Sequence, residues 1–518
     1  MHEITQNPPG TGYFIAAAAW LLGWSEVALH GAFLLPAGAA AAFTWLLARR
    51  LSKRPLEASL ISLTTPVFLV SSTNVMCDTS MLACWCGSVW CWVTGFDRKQ
   101  ARWWLLAALL AALAFLTKYY GIALVPLLLA YGMLRERRLG VWCLTMLLPV
   151  LVAVGYDRLT AALYGGGQLV EAVAYAGEFQ AIAKQSLLHR GVVGLAFVGG
   201  CLLPALCYAP LVWPRAAWLG GLALCGLGVI AWPPIAALID VGFQNPFSAE
   251  ALQDPAPRAL AAQFLLLAAG GVSAVALAIA DVWRRRDPDA ALIALWVLGT
   301  LVFAAFVNWV NNGRSILPVA PALGILLVRR LAARPGSPGP ARAAGHALAF
   351  AAGAAVAVAV ARSDYQWANG VREAARTLAA RHLGPGHQTL FLGNWGWQYY
   401  LTQAGVTAVD EEHWPHKGDR LLTAYNNSDF RVPPLPWVRL VEQIQVEEPV
   451  HLRTMTRYMA GFYAHNVGPL PFAWAPPQPD RYYVWEAKNA FRLRPRPLLG
   501  LSVEEDPLAQ PPGPDQSR

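Results

Sequence analysis

The chain has 518 residues, 56% hydrophobic and only 14% charged, with a formal net charge of +9. Soluble globular domains carry about 25% charged residues, and the apolar residues here come in long runs, so the composition excludes a soluble fold in favour of a polytopic α-helical membrane protein. Lys and Arg in cytoplasmic loops account for the positive excess, and no nucleic acid is needed to explain it.

The chain opens on a polar run, 1–13, punctuated by Pro8-Pro9, Gly10 and Gly12. The stretch 13–24 is too short to span a bilayer and ends in Ser25-Glu26, which predicts an interfacial helix lying along the membrane. About twelve spanning segments follow, near 27–48, 57–75, 79–96, 103–117, 121–134, 139–156, 191–212, 217–239, 259–281, 290–308, 315–331 and 341–361. Every second connection is basic: 49–54, 98–102, 135–138, Arg215, 284–286 and 329–334. Those connections belong in the cytoplasm. The others, 1–12, 74–78, 118–121, 156–190, 240–258 and 308–314, lie outside by the same count, together with the region after Arg362. An even number of spans with an outer first residue requires a helix ahead of it. The expectation is therefore that a further N-terminal span and part of a first outer loop are missing, through a mis-called start ahead of a natural lack of that span. The compartment expected is a bacterial inner membrane, with the C-terminal region extracytoplasmic.

The eight cysteines all fall in or beside apolar runs. Cys84 and Cys86 lack a zinc-ligand spacing and an accompanying His pair, and they read as small buried hydrophobes. No disulfide framework is implied. Residues 1–361 form the transmembrane part. From 362 to 500 the chain is polar and mixed, with helical spacing over 370–382 and strand patterns at 388–392, 438–446 and 482–485. That is an α/β domain of about 130 residues, enough to hold its own core. The Pro-rich stretch 501–518 is expected to be disordered.

Ionisable residues are nearly absent from span interiors and gather at the outer ends: Glu3, Asp78, Lys118, Glu171, Glu178, Lys184, Arg190 and Arg314. A charge at mid-bilayer costs at least about 2.5 kcal/mol, so a set confined to one face fits chemistry at the interface better than a path through the middle. Asp78 opens a span, as either a helix cap or a carboxylate aimed into an outer cavity. Lys118-Tyr119-Tyr120 ends a span, as either a snorkelling anchor in an aromatic belt or a point charge for a lipid phosphate. Arg314 lies on the outer side, against the usual bias, after Asn311-Asn312-Gly313, where a guanidinium fork suits a phosphate or pyrophosphate. His346 reads as a satisfied helix-end histidine. In the C-terminal region, 393–400 is rich in aromatics, as core or as a sugar-stacking surface. The run 410–413 with His416 reads as an exposed acidic loop before it reads as metal ligands.

Four motifs in order resemble one family. Asn7-Pro8-Pro9-Gly10-Thr11-Gly12-Tyr13 is similar to the His-Pro-Pro-x-x-Tyr-type lead into the first interfacial helix of GT-C-fold membrane glycosyltransferases of family 39. That family includes protein O-mannosyltransferases and the aminoarabinose transferase of lipid A. Asp78 resembles the acid those enzymes carry at the matching outer turn. Thr117-Lys118-Tyr119-Tyr120-Gly121 resembles their Thr-Lys-x-x-Gly, and the run from Arg314 to Pro321 their Arg-Tyr-x-x-Pro-x-x-Pro. Asn7 and Ser315 stand where the family has His and Tyr. The family's main acidic motif precedes the Pro-Pro, where Glu3 is the acid present here.

The resemblance implies inverting transfer of a sugar from a polyprenyl-phosphate-linked donor to a lipid, glycan or protein hydroxyl on the outer face. Lys118 and Arg314 would bind the donor phosphate, and Asp78, with Glu3 as a weaker candidate, would serve catalysis. Asn7, Tyr13, Tyr119, Tyr120, Glu171, Glu178 and Asn312 would line the substrate loops. The implied partners are membrane lipids, the lipid-linked donor and an acceptor; no metal ligand set is identified. Two other classes remain open: a lipid or sugar transporter or flippase, which predicts paired half-repeats and broken helices, and a membrane-anchored binding protein.

Overall fold

A computed structural model describes residues 7–183, 185–239, 257–334, 339–410, 412–426, 436–447, 450–456, 458–477, 479–496 and 500–505. Two compact units are present: 1–241 with 256–361 and 458–473, and 242–255 with 362–457 and 474–518. Among the described residues, six helices are long and apolar enough to cross a membrane, or seven if one sharply bent pair counts as a span. Shorter apolar helices, Gly10–Leu22, Ala101–Thr117, Leu187–Cys201 and Arg215–Ile230, accompany them. The protein is thus a mainly helical, polytopic membrane protein.

Helix Gly10–Leu22 occupies the predicted interfacial stretch. The bent pair joins Pro66–Ser72 to Cys77–Arg98 at 116°. Thr65 caps the first arm through its side chain, Pro66 starts it, and Thr79 Oγ1 reaches back to Ser71 O at 2.8 Å across the break. The connection read from the sequence at 74–78 falls at this corner. Two further expectations change. The outer connection 156–190 contains a helix, Gln168–Ala183, whose first amides at Leu169 and Val170 donate to Asp157 Oδ1, each at 3.1 Å. The last span and the helical spacing at 370–382 belong to one helix, Pro340–His382, because no Pro or turn signal separates them.

One cluster at the basic helix ends ties four helices together. Arg50 Nη1 lies 2.9 Å from Asp289 Oδ2, and its Nε donates to Asp97. Arg135 Nη2 reaches Asp97 Oδ1 at 3.2 Å, and Tyr131 donates to Asp289 Oδ1 at 3.1 Å. His346 Nε2 sits 3.0 Å from Glu57 Oε1, while its buried Nδ1 has no hydrogen-bond partner among the described residues, so the satisfied histidine expected there is met on one nitrogen only.

The second unit holds a five-stranded mixed sheet, in spatial order Thr407–Ala408, Thr389–Leu392, Arg420–Ala424, Asp480–Ala487 and Val438–Val446. The first three are parallel, and the last two pair antiparallel. Leu390, Leu392, Leu421, Val438 and Trp485 form the core on it. The aromatic run 393–400 contributes to this packing: Trp397 is fully buried, stacks on Tyr482 at 5.3 Å and donates to Leu392 O. Asp410 Oδ1 accepts from the amides of Glu412 and His413 and lies 2.9 Å from the His413 ring, which makes a turn of the acidic loop. The expected block 362–500 is interrupted. Residues 458–473 pack with the helices of the first unit.

Candidate functional site

Asp78 lies in the first turn of Cys77–Arg98 and is fully buried. It is not the helix cap, a position held by Met76 without a side-chain bond. Its carboxylate instead faces two cations from distant parts of the chain. Lys118 Nζ donates to Oδ1 at 2.7 Å, and Arg314 Nη1 lies 3.7 Å from Oδ2. The Lys118 and Arg314 side chains keep 15% and 21% of their exposure against 1% for Asp78, so the cations, not the carboxylate, remain accessible. Among the described residues Oδ2 has no hydrogen-bond partner, and neither has the buried Arg314 Nε. One negative and two positive charges leave the cluster a surplus of +1, in surroundings where charge interactions are stronger than in water.

Local sequence places each member. After Ala101–Thr117 the chain turns into a 3-10 segment, Tyr119–Ala123, with Gly121 N donating to Lys118 O at 2.8 Å. A Cβ at Gly121 would stand 2.3 Å from the Ala114 carbonyl carbon, so the Lys-x-x-Gly spacing is a steric requirement of this turn. Pro288–Val302 widens into a π-turn, Phe303–Val307, before the Asn308–Asn312 corner, and π-turns of this kind often occur at functional sites. Asn312 caps Gly313–Ile316 by accepting from Ser315 N at 2.8 Å, which fixes the turn bearing Arg314.

One wall of the site comes from 458–473, which the sequence reading placed within the 362–500 domain. Tyr463 lies under the Arg314 guanidinium, 5.7 Å from centroid to Cζ, and accepts from Asn74 Nδ2 at 2.8 Å. Gly313 N donates to Phe462 O at 2.7 Å. His465 is fully buried: its Nδ1 accepts from Asn311 N at 3.0 Å, its backbone N–H donates to Asn311 O at 2.9 Å, and its Nε2 lies 2.8 Å from Gln185 Oε1. Nδ1 as acceptor makes the ring the neutral tautomer that donates from Nε2. Burial, then the charges of His189 and Arg190 nearby, push its pKa down to about 3. No local pattern signals that this stretch abuts Arg314.

The remaining predicted residues divide. Near the opening motif, a side chain at Gly10 would meet the Leu116 carbonyl at 2.6 Å, which puts the start of the first helix beside the Lys118 turn. Tyr13 itself is 73% exposed and Asn7 is exposed. Tyr120 is a core residue, stacked on Phe303 at 3.9 Å and donating to Thr300 Oγ1 at 2.8 Å. Tyr119 packs against Phe115 and Tyr156. Glu171 and Glu178 stand exposed on Gln168–Ala183. Asn312 serves as a cap. Glu3 and Lys184 lie outside the described residues. Among the described residues, no three His, Cys, Asp or Glu side chains gather as metal ligands.

Residues 6–155 match the family model described as dolichyl-phosphate-mannose-protein mannosyltransferase. No curated protein matches the chain. Among solved structures, ArnT from Cupriavidus metallidurans bound to undecaprenyl phosphate is 15% identical with a TM-score of 0.39, over 81% of this chain and 83% of that one. The archaeal oligosaccharyltransferase AglB from Archaeoglobus fulgidus, in complex with an inhibitory peptide and a dolichol-phosphate, is 12% identical with a TM-score of 0.43, over 78% of this chain and 56% of that one. Scores this low carry no residue or ligand across. The family match covers less than a third of the chain and spans Asp78 and Lys118 but not Arg314.

Proposed function

We propose that the protein moves a sugar from a polyprenyl-phosphate-linked donor to an acceptor hydroxyl on the outer face of the membrane, with inversion at the anomeric carbon. The observation that carries this reading is the buried Asp78–Lys118–Arg314 cluster with its surplus positive charge. In such a transfer the acceptor oxygen bonds to the anomeric carbon as the bond to the donor phosphate breaks. The electron pair leaves with the phosphate, and the acceptor proton goes to a carboxylate base. Charge grows on the departing phosphate, where prepositioned cations stabilise the transition state most. Lys118 supplies a point charge and Arg314 a fork, both held before the donor arrives.

The geometry favours a positioning part for Asp78 over that of the base. Its carboxylate is 1% exposed and accepts from Lys118 at 2.7 Å, leaving no open approach for an acceptor hydroxyl. It brings two like charges together that would otherwise separate. The proton acceptor then belongs to another carboxylate on the outer side, for which Glu3 is the candidate in this sequence.

The test is transfer in membranes, with a radiolabelled lipid-linked sugar pool from a lipid extract as donor. Arg314→Ala and Lys118→Ala should each abolish transfer at unchanged protein level. Turnover at the parent rate by either variant would overturn the assignment.

A further inference from the structure

About 20 Å separates Arg314 from Arg329, by helical rise over fifteen residues, and at that far end lies a second basic site that sugar transfer does not use. A cavity of about 150 Å³ is lined by Arg284, Arg285, Arg329 and Arg330, with Asp281 as its one carboxylate and Leu277 and Leu326 in the remaining wall. That is the liquid volume of about five waters, room for a phosphate group. Asp281 is already committed: Oδ1 accepts from Arg285 Nε at 3.1 Å and Oδ2 from Arg329 Nη1 at 2.6 Å. Arg329, almost fully buried, also donates from Nε to Leu51 O at 2.6 Å.

Arg284 and Arg330 differ. Among the described residues neither has a carboxylate partner. Arg330 uses Nε on Val212 O at 3.0 Å, and its guanidinium lies 5.1 Å from the Trp213 ring centroid, which fixes its direction without neutralising it. Arg334, donating to Trp213 O at 3.0 Å, adds a further positive charge beside it. Four guanidinium groups around one shared carboxylate leave a surplus of +3 at the mouth of a cavity with apolar walls. Guanidinium forks match phosphate oxygens bidentately, and basic pockets between helices at the cytoplasmic side are where acidic lipid headgroups bind.

We propose that this cavity, at the ends of Pro257–Arg285 and Ala320–Ala332, binds a phosphate-bearing ligand, with Arg284 and Arg330 as its anion contacts. An acidic lipid headgroup and a soluble phosphate share that chemistry. The site is independent of the sugar-transfer reading.

Native mass spectrometry of the full chain, released from mixed micelles of phosphatidylglycerol and phosphatidylcholine, tests it. Retained phosphatidylglycerol should exceed phosphatidylcholine, and Arg284→Gln should lower the retained fraction about fivefold, the usual share of one basic residue near an acidic surface. Arg284 is exposed, so this variant folds; Arg284→Gln/Arg330→Gln should lose the preference altogether. Lys99→Ala, on an exposed basic residue outside the cavity, controls for general surface charge. If millimolar inorganic phosphate displaces the lipid, the same site takes its ligand from solution. Equal retention of the two lipids, or a loss for Lys99→Ala as large as for Arg284→Gln, would overturn the proposal.

Discussion

Two charged clusters in the helical unit are built from similar parts and balanced differently. At the basic helix ends, Arg50 and Arg135 meet Asp97 and Asp289, two against two, with Tyr131 donating to Asp289. In the candidate site, Lys118 and Arg314 share Asp78 alone. The first set neutralises itself, and its natural role is to tie helices. The second cannot neutralise itself with the groups present and keeps its carboxylate buried, which is how a protein holds cations ready for an anion. Stoichiometry, more than proximity, separates a brace from a binding site here.

The largest expected effect falls on transfer. Removing one preorganised charge at a developing anion costs about 100-fold or more, so Lys118→Ala and Arg314→Ala should lose at least that in initial rate. Arg135→Ala in the balanced cluster should stay within a few-fold; a comparable loss there would erase the distinction. Next comes stability. Asp78→Asn leaves two cations facing each other and should lower stability by about 3–5 kcal/mol, as expected when a buried pair loses one partner. Asp97→Asn, in a set about a third exposed, should cost about 1 kcal/mol or less. Thermal melts in detergent compare the two, and transfer should also fail in Asp78→Asn.

The third prediction concerns pH. His465 is neutral when folded and titrates near 6.5 when unfolded, so between these values the unfolded chain binds more protons and stability rises with pH. On acidification the protein should lose about 1.4 kcal/mol per pH unit, starting near 6.5 and levelling off near 3. The proton would land on Nδ1, the atom that accepts from Asn311 N. His465→Gln should flatten this dependence; a melting profile that still falls as steeply below pH 6.5 would put the acid sensitivity elsewhere. The smallest effect belongs to Tyr463→Phe. It removes the bond from Asn74 and keeps the ring under Arg314, a change of about 1 kcal/mol. It should appear as a fewfold higher KM for the donor at nearly constant kcat, whereas Tyr463→Ala should lower both kcat and affinity.

The triad was legible because each member stood against a local expectation: an acid at the head of an apolar run, a lysine at the end of one, and an arginine on the side that the Lys/Arg count reads as disfavouring it. Side-chain periodicity also located three sheet strands, including Val438–Val446. It separated the arms at 74–78 but did not reveal the break at Thr64–Thr65 inside the span read at 57–75, because the residues around it stay apolar. The twelve spans read from hydropathy are not what helix length gives among the described residues, since Pro66 and Pro204 open short helices where one long apolar run was read. The segment holding Phe462, Tyr463 and His465 was invisible for another reason. Its role is set by contacts to Asn74, Asn311 and Arg314, which lie more than a hundred residues away in sequence.

That last arrangement limits how the molecule can be taken apart. The lid over Arg314 is encoded after most of the sheet, so a chain ended at Ala361 would retain every helix that brings Asp78, Lys118 and Arg314 together. It would still leave Asn311, Gly313 and Asn74 with exposed polar groups where 458–473 now meets them. During synthesis the three charged residues are in place long before their cover exists. The site can therefore be completed only when nearly the whole chain has been made.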